Sequence, residues 1–255
     1  MSGELFSLRG RGALITGAAR GLGEGMALAL AEAGADVAAV DVEPLDTATA
    51  AIAERGVRCA RRTADLAALT PQAAAELVAW ARSELDDVSV LVNNAGMIRR
   101  APALEAAAED WHAVIALNLT APFLLSQAFA GPLLAEVRRG SIVNVVSMNA
   151  FHGGMHVAAY TASKHGLLGL TRALANEWTG QGVRVNAIAP GWMETELTRA
   201  LREDDERYDA LLARMPSGRW GTPADLAGAV VYLASEASAY VSGGFLAVDG
   251  GYLAR

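Results

Sequence analysis

Short runs of valine, isoleucine and leucine alternate along this chain with alanine-rich stretches of helical period. The apolar runs at 13–15, 36–40, 57–61, 88–92, 141–146, 183–188 and 245–248 predict seven strands. The stretches between them predict helices, among them 24–33, 111–134 and 160–178. Such alternation is the pattern of repeated βα units on a parallel sheet. It weakens across 191–218, where charge gathers at Arg202-Glu203-Asp204-Asp205-Glu206-Arg207. A helical flap over a site and a solvated surface excursion both fit that stretch. No Pro/Gly/Ser-rich linker, internal repeat or low-complexity tract divides the chain, so one α/β domain over 1–255 is expected.

Composition narrows the classes. With 255 residues and 53% hydrophobic content the chain can bury a sizeable core, which excludes disorder. The net charge is −7, and the basic pairs Arg61-Arg62, Arg99-Arg100 and Arg138-Arg139 lie apart. No basic stripe offers itself to a phosphate backbone, so no nucleic-acid partner is expected. The one cysteine, Cys59, fits a small buried hydrophobe in a reducing compartment. Glu4 precedes the first apolar run and no apolar segment of 18 residues stands out. Neither a signal peptide nor a membrane span is therefore expected, and the protein is placed in the cytoplasm.

Candidate chemistry begins at Tyr160-Thr161-Ala162-Ser163-Lys164. On a helix, positions i and i+4 share a face, so Tyr160 and Lys164 stand one turn apart. A cation within about 4–6 Å favours the phenolate, which lets a tyrosine trade a proton with an alcohol or ketone near neutral pH. Ser147 follows the strand at 141–146, at the carboxyl edge where open α/β sheets put their ligands. Its hydroxyl is placed to hold the same substrate oxygen.

Directly after the first strand comes Thr16-Gly17-Ala18-Ala19-Arg20-Gly21-Leu22-Gly23, opening a helix. Glycines here let the backbone turn tightly, approach a pyrophosphate and leave a helix N-terminus aimed at the anion. The GxxxGxG spacing matches neither GxGxxG nor a P-loop, so position carries the argument. Asp41, eighteen residues after Gly23 at the end of the second strand, is suited to ribose hydroxyls. Arg20 is able to attract a 2′-phosphate, and Asp41 repels one; Arg20 can equally serve the pyrophosphate, so Asp41 decides and NAD is the expected cofactor. Asp65-Leu66 closes the third strand, where Asp65 either meets the adenine edge or caps a helix. Asn93-Asn94-Ala95-Gly96 after the fourth strand suits backbone lying against a cofactor, or a plain turn.

Taken together, Thr16 to Gly23, Asp65, Asn93 to Gly96, Asn118, Ser147, Tyr160, Lys164, Pro190-Gly191 and Thr195 resemble the short-chain dehydrogenase/reductase family over nearly the whole chain. The resemblance implies a doubly wound Rossmann-type fold, with a seven-stranded parallel sheet and helices on both faces, and a bound nicotinamide cofactor. It implies that Tyr160 is the acid/base, that Lys164 lowers its pKa and holds the nicotinamide ribose, and that Ser147 orients the substrate oxygen. Gly17, Arg20, Gly21, Leu22, Gly23, Asp41, Asp65, Leu66, Asn93, Ala95, Gly96, Pro190, Gly191 and Thr195 would line the cofactor. Asn118 has a physical argument of its own. Pro122, four residues on, cannot donate to the Asn118 carbonyl, which is then free to bind a relay water for Lys164 or simply marks a kink.

Finer segments at 6–10, 21–28, 93–100, 175–178, 218–221 and 250–255 resemble a branch of the family that acts on sugar acids. Arg99 or Arg100 would then clamp the substrate carboxylate, unless both are ordinary surface arginines. His152 and Trp192 are further pocket candidates. The Gly153-Gly154 pair argues against a helical His152/His156 ligand face, and no metal is expected. Members of the family that reduce carrier-bound 3-oxoacyl groups are disfavoured by Asp41 and the acidic charge, and a non-catalytic nucleotide sensor by the intact catalytic set. The resemblance also implies a homotetramer.

Overall fold

The computed structural model describes residues 4–254. Its seven strands are β1 (Gly12–Thr16), β2 (Asp36–Asp41), β3 (Cys59–Thr63), β4 (Val88–Asn93), β5 (Gly140–Val145), β6 (Val183–Pro190) and β7 (Phe245–Val248). They form one parallel sheet in the order β3-β2-β1-β4-β5-β6-β7. The order reverses direction between β1 and β4, which opens a crevice at the carboxyl edge, as in doubly wound folds.

Successive side chains of a strand point to opposite faces, and each face has its own core. Ala13, Ile15, Val37, Ala39, Val90 and Val92 pack with Met26, Leu30 and Ile52 on one side. Leu14, Ala38, Val40 and Leu91 pack with Leu77, Leu125, Phe129 and Leu174 on the other. The helices that supply these layers are α1 (Gly21–Glu32), α2 (Asp46–Ala53), α3 (Pro71–Glu84), α4 (Ala108–Ile115), α5 (Ala121–Ala135) and α6 (Ala158–Trp178). They continue with α7 (Arg199–Arg202), α8 (Asp205–Leu212) and α9 (Ala227–Ala234).

Three sequence expectations shift. The third strand runs two residues later than 57–61, because Gly56 turns with φ 77 and Asp36 Oδ1 accepts from Arg58 N at 2.8 Å, so residues 57 and 58 complete the turn. The helix expected over 111–134 divides into α4, a π turn at Ala116–Thr120, and α5. Pro122 lacks the donor that would close a regular turn on Asn118, and the Ala121 N–H bonds Ala116 O instead. Finally, the helical stretch Ala108–Ala135 is long and apolar enough by length and composition to cross a membrane, against the expectation that no such segment exists. Its apolarity serves the core here, where Leu125, Phe129 and Leu133 are buried. Across 191–218, Met193 bridges Gly221, and α7 and α8 bring Leu201, Tyr208, Leu211 and Leu212 against a cluster of Met148, Met215, Trp220 and Tyr252.

The first turn of α1 tolerates no side chain at one position: a Cβ on Gly23 would lie 1.8 Å from Gly17 O. On the exposed face of α6, a Cβ on Gly169 meets nothing within 4 Å. Gly23→Ala is therefore expected to lower Tm strongly and abolish nucleotide binding, whereas Gly169→Ala stabilises by about 0.5–1 kcal/mol. Thermal denaturation and nucleotide titration check the pair.

Candidate active site

Ser147 stands just beyond β5, buried, its Oγ accepting from Asn149 N at 3.1 Å. Tyr160 is in the first turn of α6 and Lys164 follows one turn later. Lys164 Nζ donates to Val145 O at 2.8 Å and sits 5.6 Å from the Tyr160 ring centroid. Ser147 lies close enough to the Tyr160 phenol to pull its pKa down. The three groups thus converge at the carboxyl edge.

Their electrostatics differ in one respect from the expectation. Burial dominates at Tyr160 and raises its pKa; the hydrogen bond with Ser147 and the charge of Arg100 oppose it. Lys164 gives one of its three N–H donors to the Val145 carbonyl and stands beside the Tyr160 ring. Only 4% exposed, Lys164 is itself pushed down to about 8 by desolvation.

Asn118 lies fully buried in the π turn. Its Oδ1 accepts from Met97 N and its Nδ2 donates to Met97 O, both at 2.9 Å, with a further bond to Ser163 Oγ at 3.2 Å. A Cβ on Gly96 would meet Asn118 Oδ1 at 3.2 Å and Lys164 Nζ at 3.6 Å. The loop after β4 is thereby clamped beside Lys164.

At the nucleotide end, Gly17 and Gly21 take φ of 68 and 61, open to glycine. Asp41 Oδ2 accepts from Ala19 N at 2.9 Å and Oδ1 from Glu43 N at 3.1 Å, so the carboxylate is tied to the glycine turn. A Cβ on Gly21 would stand 3.7 Å from Thr195 Cγ2, which brings Thr195 across the turn. Pro190 ends β6 opposite Val248, and Gly191 packs so tightly that a Cβ would lie 2.6 Å from Asp249 Cα. Arg20 precedes α1.

Several cofactor candidates have side-chain partners within the protein. The Leu66 side chain is buried in the core, and Leu22 packs against the core on the α1 side. Asp65 Oδ1 accepts from Ala67 N at 2.9 Å and so caps the Leu66–Ala68 turn. Asn93 points into the sheet, where Nδ2 donates to Asn144 Oδ1 at 2.8 Å and Ser126 Oγ at 3.2 Å. Two residues that stand in the motifs but received no role of their own hold the glycine turn. Asn94 Nδ2 donates to Thr16 O at 2.9 Å and Gly17 O at 3.0 Å, and Thr16 Oγ1 accepts from Asn94 N and Ala95 N at 3.1 Å. Their polar side chains at a strand end were the available signal.

The substrate candidates separate. Arg99 is 3.4 Å from Asp110 in an ion pair, whereas the Arg100 charge is felt at Tyr160. Ala101 N donates to His156 O at 2.9 Å, which holds this arginine loop against the segment leading into α6. His152 Nε2 and Trp192 Nε1 are buried without a partner. Trp192 lines a cavity of about 130 Å³ with Met193, Ser217 and Asp249. Among the described residues no group of three or more His, Cys, Asp or Glu is arranged to hold a metal ion.

Fold and site together define a nicotinamide-dependent oxidoreductase. Known proteins agree. The family described as Enoyl-(Acyl carrier protein) reductase matches residues 17–253. The 2-dehydro-3-deoxy-D-gluconate 5-dehydrogenase of Escherichia coli (strain K12) is 48% identical over 251 residues, 98% of each chain. The enzyme of the same name from Bacillus subtilis (strain 168) is 43% identical over 257 residues, 99% of this chain and 98% of its own. The crystal structure of a gluconate 5-dehydrogenase from Burkholderia cenocepacia J2315, in complex with NADP and tartrate, superposes with a TM-score of 0.94 at 36% identity, covering 100% of both chains. The chain belongs to the short-chain dehydrogenase/reductase family. Its cofactor is NAD or NADP, and the site fits one: a tight turn with no side chain at Gly17, Gly21 and Gly23, a fixed carboxylate at the end of β2, and Gly96 against Lys164.

Burial of Lys164 yields a stability prediction. Its folded pKa, about 8, lies below its ordinary 10.5, so between those values the folded chain binds fewer protons than the unfolded one. Its penalty is full below pH 8 and fades as pH rises towards 10.5. Lys164→Met removes that penalty and loses one hydrogen bond, for a net stabilisation of roughly 1–2 kcal/mol at pH 7 that vanishes by pH ~10.5. Denaturant unfolding across this range measures it.

Proposed function

We propose that the protein transfers hydride between NAD and the C5 alcohol or ketone of the sugar acid 2-dehydro-3-deoxy-D-gluconate. The observation that carries this reading is the convergence of Ser147, Tyr160 and Lys164 at the carboxyl edge, with the Arg100 charge felt at the phenol. It is supported by full-length identities of 43–48% to the dehydrogenases named above.

When bound, the nicotinamide supplies the hydride donor or acceptor. The chain's residues do the rest. Tyr160, kept protonated by burial, gives its proton to the ketone oxygen in reduction and takes the alcohol proton in oxidation. Ser147 hydrogen-bonds the same oxygen and fixes its distance to the phenol. Lys164, with a pKa near 8, carries its charge at neutral pH beside the developing phenolate. The Asn118 carbonyl, deprived of its helical donor by Pro122, holds the water that reloads Lys164. Arg100 pairs with the substrate carboxylate, while Arg99 belongs to Asp110. His152 and Trp192 offer ring nitrogens to the substrate's hydroxyls. Gly17, Arg20, Gly21, Gly23, Asp41, Ala95, Gly96, Pro190, Gly191 and Thr195 line the cofactor, with residues 191–218 as a flap over the substrate.

The preference for NAD rests on Asp41. A carboxylate about 4 Å from a 2′-phosphate costs about 4 kcal/mol per unit charge at an effective dielectric near 20. A homotetramer is supported by the apolar residues left at the surface: Trp111 and Phe123 on α4 and α5, and Phe245 on the edge strand β7, its ring 4.5 Å from Phe151. A reducing, cytoplasmic setting suits Cys59, a free thiol whose pKa burial pushes up to about 11.

Two measurements test the reading. Reduced-nicotinamide absorbance is expected to show turnover of 2-dehydro-3-deoxy-D-gluconate above gluconate, neutral polyols and 3-oxoacyl thioesters, with kcat/KM higher for NAD than NADP. Tyr160→Phe lowers kcat by about 10²–10⁴. Higher turnover of the thioesters, or an active Tyr160→Phe, overturns it. Arg100→Lys is expected to raise KM about tenfold for sugar acids and little for polyols, with Arg99→Lys near parent on both. Equal effects on the two substrate classes remove Arg100 from the carboxylate.

A further inference from the structure

The loop after β5, with Ser147, Met148 and His152, and the segment 191–218 are far apart in sequence. The last residues of the chain join them. Beyond β7 the backbone turns at Gly250 and Gly251, with φ of 62 and 86. Asp249 fixes this turn by accepting from Gly251 N at 2.9 Å and Leu253 N at 2.8 Å. Ser217 N donates to Gly250 O at 3.0 Å. A Cβ on Gly250 would come within 2.3 Å of Ser217 Oγ, and one on Gly251 within 3.2 Å of Pro216. The tail and the base of the flap are thus interlocked.

The turn delivers Tyr252 into the cluster of Met148, Met215 and Trp220, where it is 7% exposed. Arg214, from the flap, lies 5.0 Å from the Tyr252 ring centroid. The His152 ring, from the catalytic loop, lies 5.9 Å from it on the same centroid measure. His152 also keeps a buried ring nitrogen without a partner.

We propose that Tyr252 is a positioning residue for the substrate pocket: its ring ties the base of the flap to the loop that carries Ser147 and His152. The proposal rests on the sugar-acid reading above. The contacts involve the ring and not the hydroxyl, so Phe serves at 252 and Ala does not. Neither group touches the nucleotide turn, so substrate affinity and cofactor affinity respond separately.

The experiment compares the parent with Tyr252→Phe, Tyr252→Leu and Tyr252→Ala, Leu keeping apolar bulk should Ala fail to fold. KM and kcat for 2-dehydro-3-deoxy-D-gluconate, Kd for NADH by fluorescence, and the rate of trypsin cleavage after Arg199 and Arg214 are measured. Tyr252→Phe is expected within about twofold of the parent throughout. Tyr252→Ala and Tyr252→Leu raise KM by about tenfold, change kcat less, leave the NADH Kd within about twofold and speed cleavage of the flap. An unchanged KM, or KM and Kd rising together, overturns the proposal. If the parent turns over no sugar acid, the substrate reading fails; cleavage still decides the tie, and equal rates in parent and variants refute it.

Discussion

The ammonium of Lys164 is held on the carbonyl of Val145, the last residue of β5, in a place where water barely reaches. A buried cation is tolerable only when its donors are satisfied, so this bond fixes α6 against the sheet edge. Once α6 is fixed, Tyr160 stands over Ser147, and the loop after β4 has to pass Lys164 with no side chain at Gly96. Asn118 then secures that loop through both the backbone N–H and the carbonyl of Met97. One unfavourable burial thereby dictates the placement of four elements.

Beneath this arrangement runs a chain of buried amides and hydroxyls. Ser126 on α5 meets Asn93 on β4, Asn93 meets Asn144 on β5, and Asn144 Nδ2 donates to Thr171 Oγ1 on α6 at 3.0 Å. Thr171 returns the bond to its own helix at Leu167 O. Such a network fixes register where an apolar contact would allow sliding. It explains why Asn93, which stands in a motif associated with the cofactor, has its side chain inside the protein.

What the sequence discloses follows from which signals are local. The central strands are buried on both faces, and their unbroken apolar runs announce them. Partly exposed β3 lacks that signal, and its register is set by the Gly56 turn and by Asp36. The pairing of Tyr160 with Lys164 is legible because i and i+4 spacing fixes their relation on any helix. Side-chain direction outside regular elements has no such rule. The side-chain directions of Leu66, Asp65 and Asn93 are therefore set by tertiary contacts, and adjacent Arg99 and Arg100 meet different neighbours. Tyr252 escapes a sequence reading altogether, because its partners come from two distant segments.

The helical stretch Ala108–Ala135 carries enough apolar surface for a bilayer, yet Leu174, Val183 and Val185, which cover it, are encoded well after it. Leu77 and Leu91, made earlier, line part of it, but its greasy side stays partly bare until those later residues leave the ribosome. Until then an apolar face belonging to the core stands exposed on the nascent chain, the kind of surface that makes incomplete chains prone to aggregate.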